Sequence, residues 1–427
     1  MKETIQLNYG KEQLSFSIEG AKSVTYIEPN VMPEITDLKQ AFLTSITTGV
    51  IGGAPLKERI APTDPVTIVV SDITRSWMHQ DRIVPLLVSY LHEEMHIPYA
   101  QIVIVIALGT HRKSTKEEMI TIVSKEVYDK VTVVDHDCDA ADLVLVGKTR
   151  RGTDVWVNKL VVDRKVIVLG GTVHHMMAGF GGGRKSILPG VAGRTTIREN
   201  HCRALDPHEA HSDARVGCCK LKDNPINEDM REAAKLVHVT FGINLCVSSS
   251  GVHSGIFSGD LDEAWLESCA FQSRCYEVEI PKQADIVLCS SGGYPKDMNL
   301  YQGCKGMLNA MRALKPGGEM IWACKCPEGG GSPAYFDWLV PLKEGRLDEA
   351  LRQNFTIDGY IFYLTCENLV YANCHVVTTL SPELVAPMRL DASENVEELV
   401  KKVDFTDKEV YVINYAGSVV PMCEKEA

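Results

Sequence analysis

Runs of four or five aliphatic and β-branched residues recur along the chain, each followed by a polar turn. Val66–Val70 runs into Ser71-Asp72, and Ile102–Ile106 leads to Gly109-Thr110-His111. Val131–Val134, Val166–Leu169 and Ile286–Cys289 repeat the pattern. A strand that is apolar on both faces has to be covered on both, which a parallel sheet flanked by helices achieves. Between the runs the apolar positions change to helical spacing, as at Ile83, Val84, Leu87, Tyr90 and Leu91. Ser114-Thr115-Lys116-Glu117 reads as a capping box opening the next helix. The chain is therefore expected to be α/β with largely parallel sheets, and its 427 residues suggest two or three domains.

A polar, Pro-containing stretch at Tyr276–Gln283 precedes a fresh strand–turn–helix unit and sets the expected boundary. Residues 1–277 then form an N-terminal α/β domain carrying the glycine-rich loop, and 278–404 a C-terminal α/β domain. Periodicity does not assign the last strand, Val410–Ile413 within 405–427, to a sheet; a return to the first domain is one option.

Charge narrows the partners. Fifty-six acidic against 44 basic residues leave a net charge of −12, which disfavours nucleic acid or an anionic membrane as the main partner. No apolar run reaches the ~18–20 residues that span a bilayer. The start, Met1-Lys2-Glu3-Thr4-Ile5-Gln6, lacks a signal-peptide pattern, so a cytoplasmic protein is expected. Most of the 14 cysteines sit singly in apolar runs, where a reduced thiol acts as a small hydrophobe. The pairs Cys218-Cys219 and Cys324-Lys325-Cys326 lack a second pair at zinc-ribbon spacing and read as structural too.

Polar residues that follow buried parallel strands are the ones to search for function, because ligands bind beyond the carboxyl ends of such strands. The densest stretch runs from Gly170 to His201. Gly179, Gly181, Gly182 and Gly183 leave a bare backbone whose amides are expected to be free for an anion. It is not a Walker A loop, since Arg184 rather than Gly precedes Lys185-Ser186, and the dinucleotide fingerprint lacks its third glycine. His174 and His175 precede the glycines, Lys185 follows them, and His201 lies further on. Imidazole suits proton transfer near neutral pH and ligates nickel, zinc and copper. At a second strand end, Thr74 and Arg75 could bind phosphate, while helix N-capping fits Asp72 and Thr74 equally. Gln302 and Lys305, three apart, would share a helix face able to grip a carboxylate.

These motifs together resemble the LarA family of nickel-dependent lactate racemases and related 2-hydroxy acid racemases. The resemblance rests on DITR at Asp72–Arg75, ALGTHR at Ala107–Arg112 and HxxAGFGGGRKSILPGVAG at His175–Gly193. Asn200-His201 and YQGCKG at Tyr301–Gly306 complete it. The family often has Pro where His174 stands, Ser at Gly181, and Pro at Ser76.

The resemblance implies a racemase or epimerase of a small, lactate-like 2-hydroxy acid. Its chemistry would be reversible hydride transfer to a covalently bound nickel pincer nucleotide, a nickel pyridinium bis-thiocarboxylic acid mononucleotide. By resemblance Lys185 joins the cofactor, Asp72, Ile73, Thr74 and Arg75 contact it, and His201 completes the nickel coordination. His111 and His175 match the two acid–base histidines, and Gln302 and Lys305 the substrate-binding pair. His175 rather than His174 is the match the resemblance implies, since its ten-residue spacing to Lys185 fits the family pattern. An active site in the cleft between two α/β domains, and cofactor-assembly enzymes as partners, are implied as well. Two other chemistries fit the residues themselves: a zinc hydrolase built from His111, His175 and His201, and a non-catalytic anion- or nucleotide-binding protein.

Overall fold

The computed structural model describes residues 2–248 and 251–423. Contacts divide the chain into two units. One comprises Met32–Ala204 and Ala214–Ser273; the other comprises Met1–Val31, Leu205–Asp213 and Arg274–Ala427.

The unit built on residues 32–273 centres on a six-stranded sheet. Its spatial order is His253–Gly259, Phe241–Val247, Lys165–Gly171, Val66–Ser71, Ile102–Ala107, Thr132–Asp135. All neighbours are parallel except the pair Phe241–Val247 and His253–Gly259. Every residue of Phe241–Val247 and five of the six in Val66–Ser71 are buried, so these strands are largely apolar because both faces are covered. Val84, Leu87 and Leu91, with the N-cap residue Ile83, pack into the same core, on a helix Val84–Ser89 that continues as one π turn over Tyr90–Glu94.

The capping box sits one residue later than the sequence pattern suggests. Thr115 caps Lys116–Val123 and exchanges hydrogen bonds with Glu118. Ser114 is unavailable for capping, because its amide and hydroxyl both donate to Asp135, at 2.7 and 2.9 Å.

The second unit holds an all-parallel six-stranded sheet. Its order is Leu390–Ser393, Asn373–Val377, Leu314–Ala323, Ala284–Ser290, Glu409–Ile413, Ser23–Tyr26. Two expectations are corrected here. The last strand does not return to the N-terminal domain; it pairs with Ala284–Ser290. Nor do the first 31 residues belong with the rest of the 1–277 segment. The hairpin Lys2–Tyr9 and Glu12–Glu19 buries Ile5, Leu7, Phe16 and Ile18 against Ile286, Leu288 and Val410. Alternation along the hairpin leaves one apolar face, and the sheet of this unit is the surface that covers it.

No helix among the described residues is long and apolar enough to cross a membrane.

Candidate active site

In the first sheet the chain runs from Val66–Ser71 outward through Ile102–Ala107 to Thr132–Asp135. It then returns to Lys165–Gly171 on the other side of Val66–Ser71. Such a reversal of direction is where ligands bind in open α/β sheets, at the carboxyl ends of the strands. Asp72–Arg75 leaves one of the two strands and the glycine-rich segment leaves the other.

Ser71 and Ala107 are register partners, so the turns that follow these strands lie side by side. This brings His111 Nδ1 to 2.5 Å from Asp72 Oδ2. The other Asp72 oxygen accepts the Thr74 hydroxyl at 2.6 Å. Asp72 is only 4% exposed, whereas the His111 ring is about half open to solvent at 48%. Burial by itself raises the Asp72 carboxyl pKa, but the bonds from His111 and Thr74, with the charge of Arg75, bring it below the ordinary carboxylate value. Asp72 does occupy the N-cap position of the turn Ile73–Met78, yet its side chain makes no capping bond. Its carboxylate holds one nitrogen of His111 and leaves Nε2 for chemistry. Asp72, Ile73, Thr74, Leu108, His111 and Arg112 line a small concavity.

The glycine loop is built differently from an anion-binding nest. The Gly181 amide donates to Val173 O (2.7 Å) and that of Gly183 to Asn244 Oδ1 (3.0 Å), so two expected anion donors are already used. Arg184, fully buried, donates to the carbonyls of Ala178 (2.8 Å) and Phe180 (2.9 Å) and to Asn227 Oδ1 (3.0 Å). Its guanidinium lies 3.7 Å from the Trp265 ring centroid, and Trp265 Nε1 donates to Gly181 O at 2.7 Å. Burial pulls the Arg184 pKa down to about 9. At Gly183 φ is +50°, and a Cβ would stand 2.6 Å from Trp265 Cγ, so only glycine fits.

This clamp fixes Lys185. Its Nζ lies 2.9 Å from His175 Nε2. His175 Nδ1 accepts the amides of Met177 (3.1 Å) and Ala178 (3.2 Å), so proton exchange at this ring runs through Nε2. His174 and His175 are successive residues of one short strand, and their side chains point to opposite faces. His174 packs on Phe180, with ring centroids 4.7 Å apart. The two rings therefore meet different surroundings, His175 facing Lys185 and His174 facing Phe180. Gly109 N donates to Gly190 O at 2.9 Å, tying the His111 turn to the segment that carries Lys185.

His201 closes the helix Arg194–His201 and is 3% exposed. Its neighbour Asn200 pins that helix, donating to Asp229 Oδ2 (2.9 Å) and Ile226 O (3.1 Å). Burial, with the charge of Lys185, depresses the His201 pKa to about 3. Nδ1 donates to Ile197 O at 3.0 Å, which leaves the Nε2 lone pair available. A neutral imidazole oriented through its other nitrogen is the donor a borderline metal ion takes. His111, His175 and His201 do not form a three-ligand cluster among the described residues, which disfavours the zinc hydrolase.

In the second unit Gln302 and Lys305 share a face of the helix Leu300–Met311, with Lys305 Nζ donating to Gln302 Oε1 at 2.6 Å. Sequence reasoning missed the inward role of Arg184, and missed Trp265, Asn227 and Asn244, which hold the loop backbone or the Arg184 side chain. Nothing in their local spacing marks them.

Residues 9–213 match the lactate racemase N-terminal domain and residues 280–420 the lactate racemase C-terminal domain. A lactate racemase of Thermoanaerobacterium thermosaccharolyticum is 32% identical over 345 residues, 80% of this chain and 78% of that protein. The lactate racemase of Lactiplantibacillus plantarum is 30% identical over 360 residues, 82% and 83% of the two chains. The solved lactate racemase apoprotein from T. thermosaccharolyticum superposes with a TM-score of 0.85 at 28% identity, covering 98% of this chain and all of that one. A Thermotoga maritima protein with a TM-score of 0.68 at 16% identity, over 92% of this chain and 100% of that one, shares the fold. By sequence and by fold, this chain belongs to the lactate racemase family of isomerases.

Proposed function

We propose that this protein interconverts the enantiomers of a small, lactate-like 2-hydroxy acid, using a nickel pincer nucleotide attached at Lys185 and ligated by His201. The observation that carries the reading is the Asp72–His111 pair, an exposed imidazole oriented by a buried carboxylate at the carboxyl end of a parallel sheet.

The C2–H of such a substrate is poorly acidic beside an ionised carboxylate, so inversion needs an acceptor for hydrogen with its electron pair. When bound, the cofactor supplies that acceptor, and the hydroxyl proton is left to the protein. His111 Nε2 takes this proton from one enantiomer while Asp72 stabilises the resulting imidazolium through Nδ1. His175 Nε2 serves the other enantiomer, its Nδ1 anchored by two amides. Asp72, Ile73, Thr74 and Arg75 contact the cofactor. The ammonium of Lys305 and the amide of Gln302 take the substrate carboxylate, a role their shared helix face suits.

The test is the intact mass of the protein made alongside its cofactor-assembly enzymes. A nucleotide-sized addition is expected on the wild type and not on Lys185→Ala, with racemisation present only in the former. A loaded, active Lys185→Ala protein would refute the assignment.

A further inference from the structure

Two features singled out in the sequence have no part in this chemistry: His174 and the adjacent pair Cys218-Cys219. The structure brings them together. Phe180, the cross-strand partner of His174, belongs to the strand Ala178–Phe180, which pairs in parallel with Gly217–Cys218. Successive side chains of a strand point to opposite faces, so two adjacent cysteines would ordinarily diverge. Here Cys219 leaves the strand with φ of +67°, a left-handed conformation that residues with a Cβ rarely adopt. The turn places Cys219 Sγ 3.7 Å from Cys218 Sγ. A ring nitrogen of His174 lies within 4.8 Å of the Cys219 sulfur. Both thiols are reduced and partly accessible.

Two thiolates bound at about 2.3 Å to one tetrahedral ion lie roughly 3.8 Å apart, close to the separation found here. We propose that Cys218, Cys219 and His174 form a second metal site, which takes a thiophilic divalent cation of the zinc class. It is separate from the His201 position, where no thiol is invoked. Two sulfurs and one imidazole supply three of the four ligands of a tetrahedral ion. Binding replaces the two thiol protons by the metal, and both protons go to solvent.

The experiment uses the full chain made without cofactor-assembly enzymes, stripped of metal under reductant, and titrated with cobalt(II). A near-ultraviolet thiolate-to-cobalt band saturating at one cobalt per chain is expected, and zinc(II) should abolish it. Cys219→Ser and Cys218→Ser should each remove most of the band, and His174→Ala should weaken binding by tenfold or more. Cys202→Ser, His201→Ala and Lys185→Ala should retain the band, which separates this site from the proposed nickel site. Alkylation followed by mass spectrometry gives an independent reading, with zinc protecting two thiols in the wild type. Absence of the band in the wild type, its survival in the double cysteine variant, or its loss in His201→Ala would overturn the proposal. A chain lighter by two hydrogens, with Cys218 joined to Cys219 under reductant, would overturn it as well.

Discussion

The Asp72 carboxylate meets the His111 ring at 2.5 Å although the two residues are 39 positions apart in sequence. Neighbouring parallel strands end side by side and their first turns touch. The contact orients the His111 ring and fixes its tautomer.

Asp72→Asn keeps the size of the side chain and removes its charge. It should lower kcat by about 10²-fold or more while the circular dichroism spectrum is unchanged, the range typical of lost acid–base assistance. Unaltered steady-state racemisation in both directions would show that Asp72 does not serve His111.

His111→Ala and His175→Ala should both abolish steady-state racemisation, because each turnover needs one ring to accept the proton and the other to return it. The two variants should differ in a single turnover with pure enantiomers. Each should still oxidise to keto acid only the enantiomer served by the remaining histidine. Equal behaviour of the two variants toward both enantiomers would contradict the division of labour.

The metal-free protein should lose stability on mild acidification, and His201 contributes to this. Burial lowers its folded pKa from 6.5 to about 3, so between those values the unfolded chain binds a proton that the folded chain does not. Stability from this group is therefore complete above pH 6.5 and declines as pH falls toward 3. The slope is about 1.4 kcal/mol per pH unit, or about 2 kcal/mol between pH 7 and 5. Urea midpoints at the two pH values should fall less in His201→Gln than in the wild type. An identical fall in both would exclude His201 as the cause.

Arg184→Met removes the donor group that gathers the glycine loop. Ala178 O, Phe180 O and Asn227 Oδ1 would lose their partner in a buried setting, at about 1–3 kcal/mol for each group left unsatisfied. A destabilisation of at least about 3 kcal/mol is expected in urea, together with poor cofactor attachment at Lys185. Lys185→Ala should leave the urea midpoint nearly unchanged, since the loop is held by Arg184 and Trp265.

Much of the architecture was legible because burial on both faces forces composition. Val66–Val70 and Ile102–Ile106 read as parallel strands for that reason, and they pair as such. Other features depend on partners distant in sequence. Four glycines after a strand suggest free amides for an anion, and only the tertiary fold reveals that Val173 O and Asn244 take two of them and that Arg184 faces inward to carbonyls and Trp265. The capping box slipped by one because Ser114 and Thr115 are both able caps, and Asp135 decides between them. The membership of residues 1–31 was hidden because the hairpin's apolar face carries no mark of which sheet will cover it.

The strand Ser23–Tyr26 is hydrogen-bonded to Glu409–Ile413. On the ribosome, that edge of the sheet has to wait for more than 380 further residues before its partner, Glu409–Ile413, emerges. All six strands of the sheet containing Val66–Ser71 are made in the interval and lie within residues 66–259. The order of completion therefore runs against the order of synthesis: the body carrying Lys185 and His201 can be assembled first, and the body begun earliest is completed last.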